Sequence, residues 1–477
     1  MKGDDAPSKT ATGGGLRREV GLAGAILLGL GSMVGTGVFV STGLAAGIAG
    51  PALLAATFLA ALVATANGLS SAQLAAARPV SGGTYEYGYL WLSPAFGFTA
   101  GWMFLLAKSA SAATAALGLS GYLLGLARDA GGATAGAELP AGAAQAALTQ
   151  AALEGQALVE RLSWGVVPSL RVAVAVAAVV AITGFVAGGI RRSNRGNAII
   201  VTITLAGLAF LIAAALPAVI PERLGNFTPF LPGGEEGGVA ALLHGAALMF
   251  VAFTGYGRIA TLGEEVREPR RVIPRAVVLT MIVVSVLYLG VAFAGVGVLG
   301  AEAFGQAAER TVAPLETVAE ALDRPVLSRI VAVAAVTAMA GVLLNLVLGL
   351  SRVLLAMSRR GDAPAFLGRI DAKLGSPVAS VWSCGILVAA IALIGNVRIA
   401  WSFSAFTVLV YYAITNLAAL RLPAEQRMFP RWVAAAGLVG CLSLAFWVEA
   451  RVWLVGLGLL ALGLAAHLAR RRWRRSA

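Results

Sequence analysis

From residue 20 to residue 469 the chain is a succession of apolar runs, each about twenty residues long and nearly free of charge. A helix of about twenty residues spans the ~30 Å hydrocarbon core of a bilayer. Hydrocarbon offers no partner to a backbone N–H or C=O, so an unbroken apolar run of that length satisfies its backbone as a helix. The composition agrees, at 58% apolar and 12% charged, where a soluble domain carries about a quarter charged residues. The pattern predicts an all-α polytopic membrane protein with no separate soluble domain. Twelve spans are expected, at 20–46, 51–76, 96–127, 166–188, 196–220, 240–265, 275–299, 326–357, 377–396, 399–420, 432–449 and 452–469.

The net charge of +13 invites a nucleic-acid reading, but the basic residues sit in short stretches between apolar runs. Counted over alternate connections, 25 Lys and Arg fall on one side of the predicted membrane and about 7 on the other. The positive-inside rule then puts both termini in the cytoplasm, with 1–19 as a cytoplasmic segment and 470–477, "RRRWRRSA" from Arg470, as a basic tail suited to anionic headgroups. The polar start, followed by span after span, argues against a cleavable signal peptide. Cys384 and Cys441 both fall inside spans and say nothing of a disulfide, and two histidines, His244 and His467, make a histidine-built metal site improbable. No cofactor is expected. Two long external connections stand out. The 128–165 stretch reads as a solvated insertion or an amphipathic helix, and "APLETVAEALDRP" in 299–325 reads as a short helix that would cap an external vestibule.

Two spans are interrupted. The first contains "GLGSMVGTGVF", with glycines at 29, 31, 35 and 37, although each interior glycine costs a helix about 1 kcal/mol against alanine. The sixth contains Gly255 and Gly257 on either side of Tyr256. These are the first members of two five-span sets, 20–220 and 240–420, which enter the membrane from opposite sides because five is odd. Gly-interrupted segments at matched positions of inverted halves point to a midplane binding site. The freed N–H groups at a half-helix start favour an anion such as a carboxylate. Close small-residue packing is the other reading of one such span; two in matched positions favour the site.

At this point the sequence resembles a family. "GSMVGTGVF" is similar to the first-span signature of the amino acid–polyamine–organocation (APC) transporters. "FTGYGRIATLGEEVREPRRVIPRAV" resembles their sixth span and following loop, "SRVLLAMSRRGDAPAFLGRIDAKLGSPVASV" the loop after their eighth, and "RPVSGGTYEYGYLWLSPAFGFTAGW" their second-to-third-span region. The resemblance implies a five-plus-five inverted-repeat core with two further helices at 432–469, alternating access, and an amino acid as substrate. Carried over, the carboxylate would meet Gly35, Thr36 and Gly37, and the ammonium would meet carbonyls around Ser32 and Met33 and around Phe253 and Thr254. Gly255 and Gly257 would complete the second break, with Phe253 and Tyr256 as aromatic gates or as ordinary packing.

The departures from the family pattern concern charge. Some proton-coupled relatives carry a lysine in the fifth span; the matching position here is Thr204. Lys108 instead lies in the third span, where an intramembrane lysine is by default a functional hypothesis. Snorkelling to the interface is the alternative. Arg258 follows the sixth-span break directly. Three explanations of the two cations stand: an anionic substrate such as glutamate; a Lys108 that is neutral part of the time and carries a proton; or an Arg258 turned to a cytoplasmic gate. A cationic substrate is disfavoured by like charges meeting in low dielectric. Asn345, Thr337 and Ser351 are the polar residues left for an ion site in span eight, and they make a weak sodium site. Arg18, Glu264, Glu265 and Arg352, with Arg17, would form a cytoplasmic salt-bridge gate or simply mark solvated helix ends.

The expectation is therefore a secondary amino acid permease working by alternating access, proton-coupled or an exchanger, for neutral or acidic amino acids. It would be no enzyme, with lipids and protons as further partners. The alternative is an amino-acid-sensing receptor using the same site with little net transport; a channel would flux without saturation.

Overall fold

The computed structural model describes residues 20–78, 82–132, 169–189, 194–233, 237–260, 266–371 and 373–476. In chain order the helices are α1 (Leu22–Met33), α2 (Thr42–Ala49), α3 (Leu53–Ala77), α4 (Thr84–Trp91), α5 (Pro94–Gly132), α6 (Leu170–Ala187), α7 (Asn194–Val219), α8 (Gly238–Phe253), α9 (Gly257–Ala260), α10 (Pro269–Leu299), α11 (Ala301–Arg310), α12 (Pro314–Glu320), α13 (Pro325–Arg360), α14 (Val378–Leu393), α15 (Val397–Leu420), α16 (Arg431–Ala445) and α17 (Ala450–Ser476). Among the described residues the only extended pairing is an isolated bridge between Val20 and Val266.

Nine helical runs among the described residues are long and apolar enough to cross a membrane. Three further apolar helices, α1, α14 and α16, have 12, 16 and 15 residues. The boundaries follow local chemistry. Proline opens α10, α12 and α13 within their first turn, where its missing N–H is not needed. The side chains of Ser169 and Asn396 accept from the N–H groups of Val172 and Ile399 at the starts of α6 and α15. The helix α10 starts six residues before the expected span because Pro269 rather than Arg275 sets its first turn. The last helix continues through the basic tail to Ser476. Most of the 128–165 stretch lies outside the described residues. The 299–325 connection folds as two helices, the expected α12 and the unforeseen α11.

The helices gather into two packed sets. In one, α3 packs on α8 and α10, and α1 on α10. In the other, α5 runs through the centre against α6, α13, α14 and α15. The helix α11 lies along α2 with almost no side chain between them: a Cβ placed on Gly47 would stand 3.1 Å from the Cα of Gly305. Large apolar side chains such as Phe58, Leu62, Ile199, Ile282 and Val286 face outward, as lipid contact requires and water does not favour.

Candidate substrate cavity

Both interrupted segments are interrupted in the structure, in different ways. The first helix ends at Met33. Val34 takes an extended conformation (φ −79°, ψ 99°), and the chain resumes as a wide turn over Gly37–Ser41 before α2. The first amides past the break, Val38 and Phe39, both donate to the carbonyl of Gly35, at 3.0 and 3.1 Å. The sixth span tightens into one 3₁₀ turn, Thr254–Tyr256, between α8 and α9. The two breaks touch. A Cβ on Gly37 would lie 2.7 Å from the Cα of Ala252, and one on Gly255 would collide with the carbonyl of Ser32. Only glycine allows this approach.

A cavity of about 810 Å³ opens from this contact. The breaks supply Ser32, Met33, Thr36 and Gly37 on one side, and Thr254, Gly255, Gly257 and Arg258 on the other. The helix α5 contributes Phe104, Lys108 and Ser111; α13 contributes Val342, Asn345 and Leu346; α15 contributes Trp401, Tyr411 and Tyr412. The lining continues past Gly82, Tyr85 and Glu86 to Arg352, Arg359 and Arg360. These three arginines are exposed, so the cavity has its mouth at the arginine-rich end of the bundle.

Lys108 does not snorkel. Its side chain is 8% exposed, and its Nζ donates to Thr254 Oγ1 at 2.8 Å. That hydroxyl in turn donates to the carbonyl of Val251 at 2.7 Å. Ser111 and Ser404 pair at 2.7 Å, and Ser404 also donates to the Ala107 carbonyl, which fixes α5 against α15 on either side of the lysine. Arg258 stands in the same wall. Two polar atoms of the lining, Thr36 Oγ1 and Asn345 Oδ1, are buried without a hydrogen-bond partner among the described residues, a state that costs free energy until something fills it.

Protein phenols already use several carbonyls at the breaks. Tyr288 lies with its hydroxyl 2.7 Å from the carbonyl of Met33 and 3.2 Å from that of Ala252. Tyr412 donates to the carbonyl of Thr254 at 3.0 Å.

Other expected residues are not brought to the cavity. Phe253 packs on the ring of Tyr288 (centroids 5.0 Å apart) and Tyr256 on that of Tyr412 (5.1 Å); both are fully buried outside the lining. The aromatic wall is built instead by Phe104, Trp401, Tyr411 and Tyr412. Thr204 turns its hydroxyl back to the carbonyl of Ile200 at 2.8 Å, as Thr337 does to Val333 and Ser351 to Leu348. Such local bonds satisfy a hydroxyl within its own helix. Cys384 and Cys441 are free and buried.

The two ends of the bundle differ. At the arginine-rich end, Arg18, Glu264 and Glu265 lie outside the described residues, while Arg352 lines the mouth. An ion pair foreseen by no motif forms there between Arg360 and Glu86 at 2.6 Å. Tyr85 and Tyr89 both donate to Asp362, at 2.7 and 2.6 Å, and His467 of α17 reaches the same carboxylate at 3.2 Å. Burial and the Asp362 carboxylate push both phenols well above their usual range, so both remain donors. At the opposite end the structure is shut. Trp401 Nε1 donates to the Leu248 carbonyl at 3.0 Å. Leu315 N–H of α12 donates to Tyr122 Oη, which donates to the Phe39 carbonyl at 2.9 Å. Arg398 holds Glu449 at 2.9 Å and Glu309 at 3.2 Å, with His244 beside Glu449 at 3.6 Å.

A bundle of apolar helices in which two broken segments meet at a buried polar cavity has the build of a membrane transporter. The model of the amino acid permease family matches residues 20–457. The chain belongs to this family, and with it to the APC superfamily. It is similar to an uncharacterized transporter of Mycobacterium tuberculosis, with 37% identity over 458 residues, 96% of this chain and 92% of the relative. It is also similar to a branched-chain amino acid permease of Bacillus subtilis, with 30% identity over 380 residues, 78% and 74% of the two chains. A methylthioribose transporter of the same organism is 27% identical over 367 residues, 77% and 72% of the two chains.

Proposed function

We propose that this permease is a secondary transporter of neutral or acidic amino acids that works by alternating access, with the cavity at the two breaks as its substrate site. The observation that carries the reading is the meeting of both breaks, through Gly37 against Ala252 and Gly255 against Ser32, at one polar cavity. In this reading twelve passes make the bundle. The segment α1–α2 is one broken pass, α8–α9 another, and α3, α5, α6, α7, α10, α13, α14, α15, α16 and α17 supply the rest. Passes one to five and six to ten form the inverted repeats. In this reading, by the positive-inside rule, the mouth opens to the cytoplasm and the arrangement is inward-open.

The roles follow from the chemistry of the lining. In this reading the backbone N–H groups of Thr36 and Gly37 take the carboxylate, and Gly35, outside the lining, shapes the turn between them and Met33. Phe104, Trp401 and Leu346 receive an apolar side chain, in keeping with the branched-chain name of the Bacillus relative. Lys108 carries the proton that accompanies the substrate, and Arg258 reads any second carboxylate. Counterflow in proteoliposomes tests the reading. Labelled leucine, alanine and glutamate would each be exchanged against unlabelled amino acids. Saturable, trans-stimulated exchange of at least one is expected; flux with none of these features would refute a transporter and favour a receptor or channel.

A further inference from the structure

The shut end of the bundle holds an acid–base set that lies outside the cavity lining. Arg398 of α15 donates to Glu449 Oε1 at 2.9 Å and to Glu309 of α11 at 3.2 Å. The second oxygen of Glu449, Oε2, faces Nε2 of His244 in α8 at 3.6 Å. Both of these atoms are buried, and neither has a hydrogen-bond partner among the described residues. Ser402, one turn along α15 from Arg398, stands beside the same carboxylate with its own hydroxyl buried and unpartnered. A carboxylate oxygen and an imidazole nitrogen that face each other attract only when a proton lies between them. The charges point the same way. With a neutral His244, the cation Arg398 stands against two carboxylates, Glu449 and Glu309; an imidazolium balances them. The other helices packed on α8 leave this balance unchanged. The helices α2 and α3 contain no ionisable residue, and α16 contains Arg431 at its opposite end and Cys441, which accepts from Asn67. The His244 side chain keeps 14% of its surface exposed and that of Glu449 33%, so the surrounding solution reaches the pair.

We propose that His244 and Glu449 form an external proton site, at which a proton taken from outside completes the ion network and holds this end of the permease shut. The proposal rests on the alternating-access reading for what the two ends do, and adds the ligand that governs one of them. The proton passes from a hydronium ion to the imidazole, and the imidazolium donates its Nε2–H to Glu449 Oε2; no bond between heavy atoms changes. The partners belong to different packed sets. His244 sits on α8, in the set of α3 and α10, while Arg398, which holds Glu449, sits on α15 in the set of α5. Opening this end parts the two sets and takes the carboxylate away from the ring. The charge-assisted bond therefore exists in the shut arrangement alone, which binds the proton more tightly than the open one. By linkage, acid outside favours the shut arrangement and alkali outside releases it.

The experiment is labelling of Ser111→Cys in the full chain by a membrane-impermeant maleimide, in intact cells, where only the outer face meets the reagent. Rates are taken at about pH 5.5 and about pH 7.5, on either side of the ordinary imidazole range. Thiol reactivity itself rises with pH, so the ratio of the two rates is compared with that of the same cysteine in His244→Gln, which keeps a neutral donor. The ratio is expected to be about fivefold larger with His244 present, the difference between a charge-assisted and a neutral hydrogen bond. Glu449→Gln should match His244→Gln, and His244→Lys, charged at both pH values, should label slowly throughout. Equal ratios with His244 and with His244→Gln, or fast labelling of His244→Lys, would overturn the proposal and leave alternating access intact. A cysteine that reacts from outside in no variant at either pH would refute alternating access and the proposal with it. Gel filtration checks each variant; if His244→Gln fails to fold, Glu449→Gln supplies the comparison.

Discussion

Lys108 and Thr254 meet across the cavity, the ammonium of one helix 2.8 Å from the hydroxyl at the break of another. The contact ties α5, at the centre of one packed set, to the sixth-span break in the other. If Lys108 carries the coupled proton, deprotonation weakens that tie from a charge-assisted hydrogen bond to a neutral one. The ammonium form is present at low pH and lost as pH rises, so uptake should fall with increasing external pH. Lys108→Gln should flatten the profile. A variant that keeps the parent's pH dependence would remove Lys108 from coupling.

Replacing Gly37 with leucine should abolish transport. Even a methyl there lies 2.7 Å from the Cα of Ala252, a backbone atom that cannot swing aside. Gly24→Ala is the control, because a Cβ at that position meets one flexible side-chain atom, of Val20, at 3.3 Å. Surface expression and gel-filtration profile check that the protein folds; retained uptake by Gly37→Leu would move the site away from the first break.

Arg258→Ala should change substrate ranking more than rate. If the guanidinium reads a second carboxylate, glutamate loses about tenfold or more relative to leucine, the size of a charge-assisted hydrogen bond. A full amino acid panel under competition checks this, and an unchanged ranking would leave Arg258 a wall or gate residue.

Arg398→Ala should loosen the closed end. It frees Glu449, Glu309 and, through Glu449, His244, which join α8, α11, α15 and the turn before α17. A cysteine introduced at Ser111 in the cavity should then react faster with a membrane-impermeant maleimide added from outside. Equal labelling rates in the presence and absence of Arg398 would show that the network does not hold this end shut.

The broad architecture was legible because membrane helices are written in long apolar runs, and the glycine pairs marked both breaks. What was not legible came from contacts between distant segments. Nothing local separates Phe253 and Tyr256, which pack on Tyr288 and Tyr412 inside the protein, from Trp401 and Tyr412, which line the cavity; only the packing of the broken sixth span against α10 and α15 decides which rings reach it. Lys108 could be flagged as unusual, but its partner Thr254 is 146 positions away. Glu86, Arg360 and Asp362 each read as loop charges, and only the fold makes them a cluster. Thr204 stands where the resemblance implies a lysine in some proton-coupled relatives, and its own helix satisfies its hydroxyl.

The bare contact between Gly47 and Gly305 has a mechanical consequence. Contact at backbone distance leaves no slack between α2 and α11 at this point, so a shift of one is passed directly to the other. The unwound stretch 34–37 lies just before α2, with the carbonyl of Met33 bonded to Tyr288. If the permease rocks about that stretch, the cap at α11 is carried along with α2, and the gate needs no flexible loop of its own.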